Sequence, residues 1–332
     1  ASDMSALELR LLNEFQRDLP LCPAPYAAMG VTLGVSEAVV IATLARLAHA
    51  GKVSRVGAVF RPNTVSASTL AAMRVPQQRM EEVARIISAC PGVSHNYARM
   101  HRWNLWFVAA AADESQLAHL LDDLESRCGC PMLRLPLIES YHIDLGFDLS
   151  GGDAPRKTAV SGRSGTSPST LCAQEAALAA RLATGLALVP FPFAELAARA
   201  GSTEGAVIRS VGHWVQTGVI SRLGVIVRHL ELGYTANAMV AFDIPDALAS
   251  KAGRHIAAQP GITLCARRAR SRPEWPYNVY CMIHGRNDES VIARIEALRE
   301  QCALDDWPFA VLFSTRRFKQ QAAIISSELA HG

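Results

Sequence analysis

The sequence predicts an α+β protein laid down twice, each copy a winged helix-turn-helix followed by a ferredoxin-like βαββαβ domain. Three observations predict it. The first is an internal repeat. Gly51-Lys-Val-Ser-Arg-Val-Gly57 aligns with Gly218-Val-Ile-Ser-Arg-Leu-Gly224, Pro91-Gly-Val-Ser94 with Pro260-Gly-Ile-Thr263, and Trp103-Asn-Leu-Trp106 with Tyr277-Asn-Val-Tyr280. The blocks keep their order while the offset grows from 167 to 169 and then 174 residues, so the second copy carries a short insertion before the last block. The second observation is the tract 150–171, SGGDAPRKTAVSGRSGTSPSTL. It has no apolar periodicity and reads as a flexible tether between the copies. The third is a change in each copy from helical to strand periodicity. Together they divide the chain into a winged helix-turn-helix at 1–60, a βαββαβ domain at 61–149, the linker at 150–171, a second winged helix-turn-helix at 172–228 and a second βαββαβ domain at 229–332.

The elements follow in order. From Ser5 to Asp18, Leu7, Leu11, Leu12 and Phe15 share one helical stripe. A second helix is expected from Pro25 to about Gly30. After the turn at Gly34, Ser36 and Glu37 start a third helix, apolar at Val39, Val40, Leu44 and Leu47 and ended by Gly51. An extended wing should occupy Val53–Phe60 and a strand Ser68–Val75. A helix at Gln77–Cys90, two strands joined by a turn within Val93–Ala110, a helix at Glu114–Arg127 and a strand at Met132–Tyr141 complete the βαββαβ order. In the second copy, helices are expected within Ala173–Thr217. Strands are expected near Ala236–Phe242, Thr263–Ala269, Tyr277–His284 and Ala310–Thr315.

Composition narrows the function. Of 332 residues, 50% are hydrophobic and 19% charged, which excludes global disorder. A net charge of +3 gives no bulk attraction to nucleic acid or to a membrane surface. No apolar run approaches a membrane span, and Ala1-Ser2-Asp3-Met4 shows no signal-peptide pattern. The eight cysteines form no CxxC pair; they read as reduced thiols of a cytoplasmic protein, with no intrinsic metal site. The helix expected to read DNA offers Arg46 and His49 in the first copy, and Arg209, His213 and Gln216 in the second. Specific binders make several phosphate and base contacts, so DNA is not expected as a partner.

This order of elements resembles the Lrp/AsnC family of transcription regulators. A narrower resemblance rests on three stretches. Val93-Ser-His-Asn-Tyr-Ala-Arg-Met-His-Arg-Trp-Asn-Leu-Trp-Phe107 is similar to the HNYxRxHxYNLWF signature of siroheme decarboxylases. Gly51-Lys-Val-Ser-Arg-Val-Gly-Ala-Val59 is similar to their GVIRRFGAV stretch, and Phe313-Ser-Thr-Arg-Arg-Phe-Lys319 to an FSTREFK-type last strand. The linker makes the chain resemble the fused NirD–NirL type, which acts in heme d1 biosynthesis. The resemblance implies removal of CO2 from two acetate side chains of siroheme, giving didecarboxysiroheme. It implies no added cofactor, because the substrate carries its own iron and a macrocycle that can take up charge. The duplicated fold joined by a tether predicts an internal pseudo-dimer whose two sheets form the shared surface; a further homo-dimer stays open. Two other readings remain at this point: an Lrp-type DNA-binding regulator, and a tetrapyrrole-binding protein without catalysis.

With siroheme as the implied substrate, the protein must grip carboxylates, exclude water and deliver a proton. His95 and His101 suit the proton role, and either could ligate the substrate iron. Six residues apart, they share a side if the strand runs straight and approach each other if it bends. Arg99 and Arg102 are candidates for the acetates and propionates. So is the run Arg267-Arg268-Ala-Arg270-Ser-Arg272 of the second copy, with Arg267 and Arg270 singled out, and so are Arg317 and Lys319 on the last strand, beside Arg316. Tyr97 and Trp103 could flank a flat macrocycle; Trp106 is assigned to the core. His142 is a reserve candidate, and His119, His255 and His331 are read as surface groups. At the place of His95 the second copy has Leu264. That asymmetry suggests that it supplies arginines or holds a degenerate pocket.

Overall fold

The computed structural model describes residues 4–61, 66–143, 171, 173–228 and 236–320. The tract 150–170, expected to be a tether, lies outside them, as does His331. The described residues form two compact units that cut across the repeat. One holds both helix-turn-helix segments, the other both βαββαβ segments.

In the first unit, α1 (Ala6–Phe15) opens on a capping box. Ser5 accepts from the Glu8 backbone N–H and the Glu8 carboxylate accepts from that of Ser5, which satisfies two orphan donors at once. Helix α2 (Pro25–Leu33) starts on a proline whose missing N–H costs nothing there, and stops at Gly34, left-handed with φ +73°. Ser36 caps α3 (Glu37–His49), which buries Val40, Leu44 and Leu47. Its outward face carries Ala38, Val39, Ala42 and Ala45, side chains that cannot hydrogen-bond a base edge, while Arg46 pairs with Glu8. The second copy repeats the set in α6 (Ala173–Thr184), α7 (Pro192–Arg199) and α8 (Glu204–Gln216).

The extended stretch keeps its expected bounds and takes its partner from the other copy. Val53–Phe60 is a single strand, β1, and it pairs antiparallel with β6 (Ile220–Val227) of the other copy, Gly57 facing Gly224. The glycines make room for this exchange: a Cβ on Gly57 would sit 2.9 Å from the Leu182 carbonyl oxygen, and one on Gly224 would overlap that of Gln16. Backbone bonds then run across the copies, from Leu19 N–H to the Leu223 oxygen at 3.2 Å and from Leu186 N–H to that of Val56 at 2.7 Å.

In the second unit the first copy supplies β2 (Ala67–Met73), α4 (Met80–Ala89), β3 (Val93–Arg99), β4 (Leu105–Ala111), α5 (Glu114–Cys128) and β5 (Met132–Ile143). The second supplies β7 (Ala236–Phe242), α9 (Asp246–Ala257), β8 (Ile262–Arg268), β9 (Val279–Gly285), α10 (Asp288–Gln301) and β10 (Phe309–Gln320). The eight strands close into a barrel in the order β10-β3-β4-β2-β5-β8-β9-β7. The last strand reaches Gln320, beyond the Thr315 expected, because Phe309–Phe313 pair with β7 of their own copy and Ser314–Gln320 with β3 of the other. Strand β5 does the reciprocal thing with β2 and β8. The copies therefore share edges as well as faces.

Alternation along the strands makes three cores. Leu105, Phe107 and Ala109 face outward against α4 and α5. Val279, Cys281 and Ile283 do so against α9 and α10. Inside, Ala72, Trp106, Leu133 and Leu135 meet Met239, Ala241, Trp275, Tyr280 and Leu312, one apolar layer built by both copies. Asn104 and Asn278 brace the strand ends alike. Each side-chain oxygen accepts from, and each amide donates to, the same backbone residue, Val75 in one copy and Ile244 in the other. No single described helix is long and apolar enough to cross a membrane.

Candidate active site

On β3 the inward positions are His95, Tyr97 and Arg99, because Tyr97 pairs directly with the inward Trp106 of β4. The His95 Nδ1 lies 2.8 Å from Ser94 Oγ, and its ring stacks on Tyr97 with centroids 6.4 Å apart. The Arg99 guanidinium also lies over the Tyr97 ring, 5.6 Å from its centroid. Strand β10 brings Arg317 opposite Tyr97 and Gln320 opposite His95, and Arg317 Nη1 donates to Gln320 Oε1 at 3.2 Å.

Arg99 is buried at 8% exposure. Its Nη1 donates to the Leu312 carbonyl at 3.1 Å and lies 3.4 Å from Asn237 Oδ1, both in the second copy. Its Nε has no partner among the described residues, and no carboxylate there pairs with it. Burial lowers its pKa to about 10. A buried cation without a counter-ion is costly.

Two residues that the sequence reading missed complete this end of the barrel. Asn237 of β7 and His284 of β9 pair with each other across the sheet and face inward beside Arg99. Burial, then the nearby Arg99 and Arg294 charges, lower the His284 pKa to about 4, so the ring is neutral. A signal was present in the repeat: these polar residues stand where the first copy has Ser68 and Ala110.

His101 does not join His95. It lies past the end of β3, in the turn to β4, and four strand steps from His95 to Arg99 already span roughly 13 Å. Its Nδ1 accepts from Trp103 N–H at 3.0 Å, and its ring meets Trp275 edge-on at 5.3 Å. Burial, then Arg102, lower its pKa.

Other candidates fall elsewhere. Trp103 is buried in the inner apolar layer, with Arg74 over its ring. Arg102 is exposed and donates to the Glu274 carbonyl at 2.8 Å. Arg267 faces outward, because it pairs with the outward Val279, and binds Asp246 at 2.9 Å. Arg270 is held on every side: by Asp243 and Asp246 carboxylates and by the carbonyls of Ile244 and Pro276. Lys319 Nζ donates to the Cys90 carbonyl at the end of α4, and Arg316 pairs with Glu81 on the same helix. These contacts staple hairpins and helix ends. The reason is strand parity: in an arginine run only alternate positions face inward, and here that position is Arg268. His142 sits on β5 in register with Cys265, and His119 and His255 are exposed on their helices.

Paired helix-turn-helix segments joined to paired ligand-binding βαββαβ domains define the class. The model of the AsnC-like ligand binding domain matches residues 65–142 and 231–319. That of the siroheme decarboxylase NirDL-like HTH domain matches residues 8–53. The siroheme decarboxylase NirDL subunit of Paracoccus denitrificans (strain Pd 1222) is 44% identical over 330 residues, covering 98% of this chain and 99% of that one. Two crystal structures of the siroheme decarboxylase NirDL superpose at 27% identity. One has a TM-score of 0.69 and covers 97% of this chain and 95% of that one. The other, in complex with an iron-uroporphyrin III analogue, has a TM-score of 0.68 and covers 97% and 94%. The chain belongs to the siroheme decarboxylase family, whose members are carboxy-lyases.

Proposed function

We propose that the chain removes CO2 from two acetate side chains of siroheme to give didecarboxysiroheme. The observation that carries this reading is Arg99, a buried cation with no carboxylate partner among the described residues, on one face with His95, Tyr97 and Arg317. An acetate arm accepts charge-assisted bonds from such a fork. Cleavage of its C–C bond leaves the electron pair on the methylene carbon, next to the macrocycle, which delocalises it. CO2 departs, and a proton from His95 completes the methyl group. Each round consumes one proton and releases one CO2.

Because the macrocycle is the electron sink, this reading needs no cofactor from the protein, and the iron travels with the substrate. Ser94 orients the His95 ring. His101 keeps one nitrogen on the Trp103 N–H, which leaves Nε2 for the substrate or its iron. The described cysteines are all free thiols, in keeping with a reducing cytoplasmic setting. Anaerobic incubation of the chain with siroheme, followed by mass analysis, tests the reading. Loss of two CO2 per macrocycle is expected; an unchanged tetrapyrrole mass overturns it.

A further inference from the structure

Strand β3 changes phase between Val93 and His95. Val93 packs outward against α4 and α5, and in a regular strand His95, two residues on, would face the same way. It does not, because Val93 pairs with Ala109 and His95 with Val108. Ser94 is inserted as a bulge, and His95, Tyr97 and Arg99 turn inward. Strand β10 carries two such insertions against the same residues, at Thr315 and Phe318. Among these bulges stands Asn96, 0% exposed and outward, paired with the outward Phe107. Its amide donates to the Ala84 carbonyl at 3.1 Å and to Ser88 Oγ at 3.0 Å, both on α4. Opposite it on β10, Lys319 donates to the Cys90 carbonyl at the end of the same helix. The second copy keeps the bulge, between Ile262 and Leu264, and keeps the anchor in a weaker form. There Cys265 holds the place of Asn96, and its thiol donates at 3.3 Å to the carbonyl of Gly253, the counterpart of Ala84, while Ala257 replaces Ser88.

From this we propose that Asn96 is a positioning residue for the reaction: hooked to α4 on the outer side of the barrel, it holds β3 in the phase that turns His95 inward. Core packing alone does not ask for an amide here. An apolar side chain would fill the place, and the Asn96 Oδ1 has no partner among the described residues, a costly state for a buried oxygen. What the amide supplies is a choice between neighbouring registers. In a strand without the bulge, Ser94 would stand opposite Val108, His95 would point at α4 and Asn96 would point into the barrel. Asn96 reaches Ala84 and Ser88 only in the bulged phase, so its two bonds favour that phase. This inference rests on the decarboxylase reading for what His95 does, and adds the residue that aims it.

The test uses the full chain in anaerobic siroheme turnover, with amide hydrogen exchange of the peptide Val93–Arg99 followed by mass on the same samples. Asn96→Leu fills the place without either bond. It should speed exchange in this peptide ahead of the rest of the barrel and lower turnover at saturating siroheme by roughly tenfold, the weight of one buried hydrogen bond in the balance of phases. Asn96→Cys, the residue the second copy uses, restores the bond to Ala84 and should recover turnover to within about threefold of wild type. Should Asn96→Leu fold poorly, Ser88→Ala removes one of the two bonds and should slow turnover by about threefold. Leu121→Ala opens a cavity in the same outer core from α5, and should lower stability while leaving turnover of the folded chain within about twofold. Wild-type turnover and exchange in Asn96→Leu, equal impairment in Asn96→Cys and Asn96→Leu, or an equal loss in Leu121→Ala overturns the positioning role. A wild-type chain that releases no CO2 overturns the decarboxylase reading beneath it, and exchange of the peptide then decides the role of Asn96 alone.

Discussion

Arg99 and Arg268 hold the same place in the two copies, and each reaches across to the last strand of the other. Arg99 Nη1 donates to the Leu312 carbonyl at 3.1 Å, and Arg268 Nη1 to that of Leu135 at 3.0 Å. Burial lowers the pKa of both to about 10. The pair is a reciprocal clasp inherited by duplication, and among the described residues its Arg99 half lies beside Tyr97, Asn237 and His284.

The two arginines should therefore respond differently to substitution. Replacement of a buried charge by an apolar side chain of similar volume is often near neutral for stability. Arg99→Met and Arg268→Met should each change the unfolding free energy by about 1 kcal/mol or less in denaturant titrations. Arg99→Met should weaken siroheme binding by roughly ten- to a hundredfold, the value of one charged hydrogen bond. Arg268→Met should leave it within about threefold, far short of such a bond. Equal losses of binding in both variants would assign the two ends equal roles.

Arg270 separates a structural arginine from a binding one. Its ion pairs with Asp243 and Asp246, at 2.9 and 2.6 Å, and its bonds to two carbonyls tie the β8–β9 hairpin to the start of α9. Arg270→Ala should cost about 2 kcal/mol of stability by stranding those partners, with siroheme affinity unchanged in the folded fraction. A stable variant that binds siroheme weakly would return Arg270 to the site.

His284 makes stability depend on pH. Its folded pKa of about 4 lies below the ordinary 6.5. Between those values the unfolded chain binds a proton that the folded chain does not. Stability contributed by the neutral ring is complete above pH about 6.5 and falls by roughly 3 kcal/mol as pH drops toward 4. His284→Gln should flatten this part of the profile, measured as denaturant unfolding against pH. An unchanged slope would mean that the ring protonates in the native state.

The duplication, the βαββαβ order and most element bounds were legible in the sequence because glycine blocks and apolar periodicity are local. His95, Tyr97, Arg99 and Arg317 were legible from motif and strand spacing, and the structure brings them to one face. Partnership across the copies was not legible. Register between β10 and β3 is set by tertiary closure, so Asn237 and His284 could not be placed beside Arg99. Parity misassigned the arginine run: Arg267 and Arg270 looked available, yet one faces outward and the other is saturated, while Arg268 faces in. His101 was placed by assuming either a straight strand or a tight bend. The strand ends at Arg99, and the turn carries His101 to the aromatic layer.

The central claim is that chemistry occurs at the His95 end. The most direct measurement compares wild type, His95→Ala and His101→Ala in anaerobic siroheme turnover, with products resolved by mass and bound siroheme by absorption. General acid catalysis contributes about 10²–10⁴-fold. His95→Ala should lose decarboxylation in that range at both acetates while still binding siroheme, and a changed absorption spectrum in either variant would mark the ligand of the substrate iron. Turnover of both acetates by His95→Ala at the wild-type rate would contradict the account.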